Sequence, residues 1–237
     1  MRIPLIPLAA LAVASFLPLA SCARTADESA PSSAPAAVPA PGARPEARAV
    51  RAEIVFVDGE ASVDGAAAEP GAALPARFVV RTGPGARLDV VFNERNVLSF
   101  SQNTVAEIDL ASVAPQVSLE RGGVASVLKK LEKLASGDSF NVSTGQAVLG
   151  VRGTSFCVWA DASSTYACAC NGEVRAIDSR GGHEETLVSA HHLGRLYTSK
   201  GVDVSVEAAG MLYHTDESVQ SAASRIGYVI DWTTVDR

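Results

Sequence analysis

The chain has 237 residues, enough for one domain with a sizeable core plus appendages. Its formal net charge is −6, its acidic residues are dispersed, and no Lys/Arg-rich stripe follows a phosphate backbone, which argues against nucleic acid as a partner. Aromatics make up only 5% of the residues, so a core must rest on Val, Leu and Ile; the 47% hydrophobic fraction is inflated by Ala in the first fifty positions.

Residues 1–21 read as an export signal. Arg2 supplies a positive start, and Ile3 to Leu19 is an uncharged apolar run broken by Pro4, Pro7 and Pro18, too short and too Pro-rich for a retained membrane helix. The run ends in Leu19-Ala20-Ser21-Cys22, which resembles a bacterial lipobox. That resemblance implies lipidation of Cys22 as the mature N-terminus, a membrane partner through the lipid, and outer-membrane sorting, since no Asp follows Cys22. The alternative is ordinary signal cleavage near Ala20 or Ala23. Residues 22–49 carry five prolines among Ala, Ser and Gly with no periodic apolar face, a composition that predicts a disordered, semi-extended tether.

From Val50 the pattern changes to short apolar runs punctuated by turns. Ile54 to Val57 precedes Asp58-Gly59, Ala61 to Val63 precedes Asp64-Gly65, and Phe78 to Val80 leads to Thr82-Gly83-Pro84-Gly85. Leu88, Val90 and Phe92 alternate, Asn93 to Asn96 turns, and strand-like runs continue at Val97 to Phe100, Val105 to Leu110 and Val117 to Leu119, before Gly122-Gly123. This beat predicts an all-β fold, a compact antiparallel sandwich or roll of many short strands. Residues 124–135 are ambiguous, because Val124, Val127, Leu128, Leu131 and Leu134 also fit helical spacing.

Phe140 to Thr144 is a further strand, Gly145-Gln146 turns it, and the chain continues as Ala147-Val148-Leu149-Gly150-Val151-Arg152-Gly153-Thr154-Ser155-Phe156. Together with Asp58-Gly59, Arg81-Thr82-Gly83 and Asn171-Gly172-Glu173-Val174, this resembles the FecR-type domain of bacterial envelope proteins across roughly Ile54 to Ile177. The resemblance implies an all-β domain on the periplasmic side, in a family whose founding members report ligand-loaded outer-membrane transporters to an anti-sigma pathway. The expected organisation is signal 1–21, tether 22–49, FecR-type domain 50–180 and a C-terminal extension 181–237 packed on it. In the fold motif, Gly150 and Gly153 would bracket Arg152 in a tight bend beside Thr154. Arg152 would pair with a buried carboxylate or cap strand carbonyls, with an anion ligand as the alternative.

Once Cys22 is set aside, an odd number of cysteines remains: Cys157, Cys168 and Cys170. Cys157-Val158-Trp159, a polar loop near Ala162-Ser163, and Thr165 to Cys170 form a hairpin pattern that places Cys157 opposite Cys168, or opposite Cys170 after a two-residue slip. A cross-strand disulfide fits an oxidising compartment. The competing reading is a metal site. Cys168 and Cys170 are two apart in a strand and share a face, and His191-His192 and His214-Thr215-Asp216-Glu217 follow. Some FecR-type lipoproteins share a similar succession. Two thiolates with one or two imidazoles suit zinc, or a softer ion such as copper(I). In a strand, His191 and His192 would face opposite ways, so only one would join the cysteines.

Glu184 to Ser189 reads as a strand, Val202, Val204 and Val206 as another, and Ser218 to Tyr228 as a short terminal helix capped by Thr215 or Asp216. That capping role explains the Thr-Asp-Glu triplet without chemistry. No nucleophile elbow, phosphate loop or His-Glu-x-x-His pattern is present, and Cys168 with His191 or His214 lacks any surrounding nucleophile signature. The expected function is therefore a non-enzymatic, lipid-anchored envelope binding or scaffold module that senses or signals at the periplasmic side with an envelope protein partner. The alternative is an envelope protein that binds zinc or copper.

Overall fold

A computed structural model describes residues 50–129 and 140–236, the Arg152 side chain excepted. The expected signal, Cys22 and tether lie outside the described residues, as does the Arg152 side-chain role. The chain from Val50 follows the predicted beat: β1 (Ala52–Asp58), β2 (Ala61–Val63), β3 (Ala66–Ala67), β4 (Ala73–Leu74), β5 (Arg77–Thr82), β6 (Arg87–Phe92), β7 (Asn96–Phe100) and β8 (Val105–Asp109). Then come three longer strands and a short one, β9 (Gln116–Leu128), β10 (Phe140–Ser143), β11 (Ala147–Ala160) and β12 (Ser164–Asp178). The chain closes with β13 (Glu184–Ser189), β14 (Leu193–Lys200), β15 (Asp203–Ala209) and one helix, α1 (Asp216–Ser224). The fold is all-β with a short C-terminal helix. Among the described residues no helix is long and apolar enough to cross a membrane.

Strand β9 organises the two halves of the core. Its first part pairs with β8, which leads through β5 to β2, while its second part pairs with β7, which leads through β6 to β1. Gly122-Gly123 therefore does not end the strand, as its sequence suggests, but turns it from one half to the other. Gly122 sits at φ +80, and a Cβ there would lie 2.4 Å from the Thr104 Cα, so only glycine lets the strand cross at this point. Phe78, Val80, Ile108 and Leu119 of one half meet Leu88, Phe92, Leu98 and Phe100 of the other in a shared core. One pairing departs from the antiparallel expectation: β10 runs parallel to the start of β9 while pairing antiparallel with β11.

The ambiguous segment is strand as far as Leu128. Val124 and Leu128 enter the main core, whereas Val127 packs on the opposite face. A strand buried on both faces is apolar at both, which is why its spacing imitates a helix. The rest of that segment lies outside the described residues.

The β11–β12 hairpin turns at Asp161, whose carboxylate accepts from the Ser163 and Ser164 amides. Its ladder is irregular around Ser155, where the register shifts between Arg152 and Ser155, with Gly153 at φ +53, and again between Ser155 and Phe156. The expected bend around Arg152 is thus a bulge within a continuous strand, and Gly150 lies in regular ladder opposite Arg175. Thr154 staples the bulge: its hydroxyl accepts from the Glu173 amide at 2.8 Å and donates to the Glu173 carbonyl at 3.2 Å. The Gly-Thr and Asn-Gly-Glu pieces of the sequence are the two sides of one cross-strand feature.

Beyond Asp178, β13 and β14 both pair with β12, and β15 pairs with β14. The chain then crosses the outer face of β7, β9, β11 and β12, where α1 lays Val219, Ala222 and Ala223 on Val97, Val127 and the cysteines. Thr215 caps α1 in a capping box with Ser218. Two polar devices hold this layer. Fully buried Asp89 binds Arg87 and Arg225, whose guanidinium groups flank the Phe56 ring at 5.6 and 4.1 Å. Buried Asn171 shares its two side-chain N–H groups among the carbonyls of Ala190, Asp231 and Thr234 and accepts from the Asp236 amide, each within 2.9 Å.

Asn171→Ala strips all four bonds at once. Two of the carbonyls belong to exposed residues and regain water, so the expected loss is about 3 kcal/mol rather than the full sum of buried unsatisfied groups. Chemical denaturation measures it, and limited proteolysis should show the last ten or so residues cut first. A loss under about 1 kcal/mol would mean that the tail is held by its apolar contacts instead.

Candidate metal centre

Strand periodicity divides β12 cleanly. Ala167 and Ala169 face the main core, so Tyr166, Cys168 and Cys170 face the layer beneath α1. On β11 the same alternation sends Phe156 and Val158 inward and Cys157 and Trp159 outward. The ladder sets Cys157 opposite Cys168, as the hairpin pattern predicts. The closest sulfur contact is diagonal, however, with Cys157 Sγ and Cys170 Sγ at 3.5 Å. All three are buried free thiols.

Two histidines reach the cysteines from distant parts of the chain. His192 lies in the loop between β13 and β14, not in a strand, with φ +53. Its amide donates to the Cys170 carbonyl at 3.0 Å, which pins this uncommon backbone conformation and aims the ring at the sheet. Its Nδ1 stands 3.6 Å from Cys168 Sγ. His214, just before the α1 cap, places Nε2 at 3.5 Å from Cys170 Sγ and 3.1 Å from His192 Nδ1. One donor atom from each of Cys168, Cys170, His192 and His214 lies within 4.8 Å of the others.

The partners on the far side of each ring fix which nitrogen is free. His214 Nδ1 donates to the Leu212 carbonyl at 2.6 Å, leaving Nε2 as the lone pair. His192 Nε2 donates to Asp216 Oδ1 at 2.7 Å, leaving Nδ1. Two imidazole lone pairs thus face each other and two sulfurs. A thiol proton can satisfy either sulfur–nitrogen pair, but the two lone pairs 3.1 Å apart repel unless a cation stands between them, whether a metal ion or a proton on an imidazole. A tetrahedral zinc with Zn–S of about 2.3 Å and Zn–N of about 2.0–2.1 Å separates sulfur from nitrogen by about 3.6 Å and nitrogen from nitrogen by about 3.3 Å. The observed 3.6, 3.5 and 3.1 Å fit that spacing.

The electrostatics of the cluster favour shared negative charge. The hydrogen bond from Cys170, against the cost of burial and with help from His192, His214 and Tyr166, holds the Cys168 thiol down to about 3. Burial, then Cys157 and Cys168, pushes Cys170 well above the usual thiol range. Burial works against charge on His192, but Cys168 and Asp216 outweigh it and raise its pKa. The pair therefore carries one thiolate readily, and a divalent ion is what would make it two.

Of the residues singled out from sequence, Cys168, Cys170, His192 and His214 come together. His191 does not join them. It is half exposed, bonds Asp216 Oδ2 at 2.9 Å and lies against Trp232. Cys157 meets the cluster at Cys170, sulfur to sulfur. The fold motif around Gly150 and Thr154 is architectural. Of the two capping candidates, Thr215 caps α1, which frees the Asp216 carboxylate to orient both histidines. Sequence reasoning missed Trp232, stacked on His192 at 5.1 Å, and Tyr166, whose hydroxyl donates to the Gly210 carbonyl and fixes the approach to His214. Nothing local in the sequence marks Trp232 for that role.

The fold and the site together define an all-β domain whose outer face carries a convergent Cys2His2 donor set beneath a C-terminal layer. Residues 78–175, a stretch that includes Cys157, Cys168 and Cys170, match the protein-family model described as FecR protein. Two crystal structures of a candidate anti-sigma factor from Parabacteroides distasonis ATCC 8503, at 2.50 and 1.65 Å, are similar to the chain at 18% identity and a TM-score of 0.46. The similarity covers 56% of this chain and 60% of the first, and 65% of this chain and 80% of the second. The chain thus spans less than two thirds of the first of these relatives. No curated protein sequence matches it significantly.

Proposed function

We propose that this protein is a non-enzymatic, lipid-anchored envelope module in which a FecR-type domain holds one zinc ion through Cys168, Cys170, His192 and His214. The observation that carries the zinc reading is the convergence of two sulfurs and two correctly oriented imidazole nitrogens within 4.8 Å, with the Cys168–His192, Cys170–His214 and His192–His214 separations at tetrahedral spacing. Four protein donors leave no open position, which suits a structural site better than a catalytic one. Cys168 and Cys170 belong to the sheet, His192 to the β13–β14 loop and His214 to the segment entering α1, so the ion would fasten the C-terminal layer to the domain. The lipobox-like Leu19-Ala20-Ser21-Cys22 supports the anchor, and the family match supports a setting of envelope sensing or signalling with a protein partner.

Elemental analysis of the protein purified under reduction tests the metal reading directly; one zinc per chain is expected. Copper(I) at the same stoichiometry would keep the site and change its ion, and three titratable thiols without metal would refute it. Asp216 offers a gentler probe. Asp216→Asn keeps the shape of the group holding His192 Nε2 but loses its charge, and metal affinity should fall about 10- to 100-fold. Competition with a chelator of known affinity reads that change, and an unchanged affinity would mean that His192 is positioned by Trp232 and its backbone alone.

A further inference from the structure

We propose that Cys157 and Cys170 form a redox-active dithiol in which Cys157 reacts with a hydroperoxide and Cys170 resolves it, so that oxidation withdraws Cys170 from the Cys2His2 donor set. The inference rests on the zinc reading of that set and names its regulation.

Cys157 is not needed to complete the donor set, yet its sulfur lies 3.5 Å from that of Cys170. The two thiols differ in access. Cys170 is fully sealed, while Cys157 lines a cavity of about 100 Å³ together with Trp159, Leu212, Tyr213 and His214. A small oxidant entering there meets Cys157 first. Cys170 has no ladder partner, because the register shifts between Ser155 and Phe156, and at this irregularity its sulfur already stands 3.5 Å from that of Cys157, so a small local adjustment closes the bond. Cys168 is a poorer partner for either. It shares a strand with Cys170 at a spacing of two, where a bridge is strained, and its sulfur is engaged by His192.

The chemistry balances with hydrogen peroxide as the two-electron oxidant. Cys157 sulfur attacks one peroxide oxygen; an S–O bond forms, the O–O bond breaks and hydroxide leaves to take up a proton as water. Cys170 sulfur then attacks Cys157 Sγ of the sulfenic acid; the S–S bond forms, the S–O bond breaks and a second water leaves. Two thiols and one peroxide become one disulfide and two waters. A disulfide sulfur is no longer a thiolate ligand, so Cys168, His192 and His214 remain as an incomplete set.

The test uses the full chain, reduced and zinc-loaded, titrated with hydrogen peroxide. Disulfides are mapped by non-reducing peptide mass analysis, and zinc release is followed with a chromogenic chelator. One Cys157–Cys170 disulfide per chain should appear in step with zinc release, and dithiothreitol should reverse both. Cys157→Ser should load zinc fully and release it at least about tenfold more slowly under peroxide; Cys157→Ala repeats the comparison should serine disturb packing. A disulfide between Cys168 and Cys170, no disulfide, or equally fast release from both Cys157 variants would overturn the proposal. Failure of the zinc reading shows separately, as reduced protein that carries no zinc before peroxide is added.

Discussion

Protein purified under reduction should contain one zinc per chain, and both Cys168→Ser and His214→Ala should lose it. Each substitution removes one of four donors from a closed site, and a three-ligand remnant has no protein group to replace the missing one. Because the ion would bind the folded chain and not the unfolded one, its loss also lowers stability. With zinc at about a thousandfold above its dissociation constant, linkage contributes about 4 kcal/mol. For a domain of this size that corresponds to a fall in Tm on the order of 10 °C, whether the metal is lost by mutation or by chelation. His214 is half-buried and at the entry to α1, so His214→Ala should keep the β-sheet circular dichroism of the wild type while losing metal. A chelator-insensitive Tm, together with undiminished stability in both variants, would sink the metal reading.

Gly172→Ala should cost about 4 kcal/mol. Gly172 adopts φ +123, a conformation that side-chain-bearing residues rarely occupy, at a strain of about 1–3 kcal/mol. An added Cβ would also lie 2.2 Å from Thr154 Oγ1 and 2.9 Å from Thr154 Cβ, and Thr154 is fully buried. Relief requires the Thr154 hydroxyl to leave the Glu173 backbone, at an overpacking cost of about 1–3 kcal/mol. Denaturant midpoints measure the loss. Combining Gly172→Ala with Thr154→Ala should recover about 1 kcal/mol relative to the sum of the two singles, since the closest clash, with Oγ1, goes with the hydroxyl while the Cβ contact stays. Strict additivity would show that the backbone strain alone is responsible.

These two experiments probe different parts of the chain, and the sequence speaks unequally about them. The Gly153-Thr154 and Asn171-Gly172-Glu173 pieces are visible as motifs, and their resemblance to the FecR-type domain holds across residues 78–175. What cannot be read is that they face each other across one bulge, because register between two long strands depends on the whole ladder. Gly122-Gly123 shows the converse error. Paired glycines read as a break, yet the strand runs through them, since Gly122 lets β9 change partners without losing its hydrogen bonds.

Local patterning alone is enough to specify the class of fold and the faces of its strands. Alternating Val, Leu and Ile between Asp-Gly and Asn-rich turns can be satisfied only by strands, and a spacing of two puts Cys168 and Cys170 on one side of β12 whatever surrounds them. Tertiary structure alone decided what covers that side. His192 and His214 stand 24 and 44 residues beyond the cysteines they meet, a distance over which no backbone periodicity carries information. They arrive because α1 and the final residues bury Val97, Val127 and the cysteine face, held there by Asp89 and Asn171. Local chemistry chose the direction in which each thiol points; burial of a distant apolar layer chose what it points at.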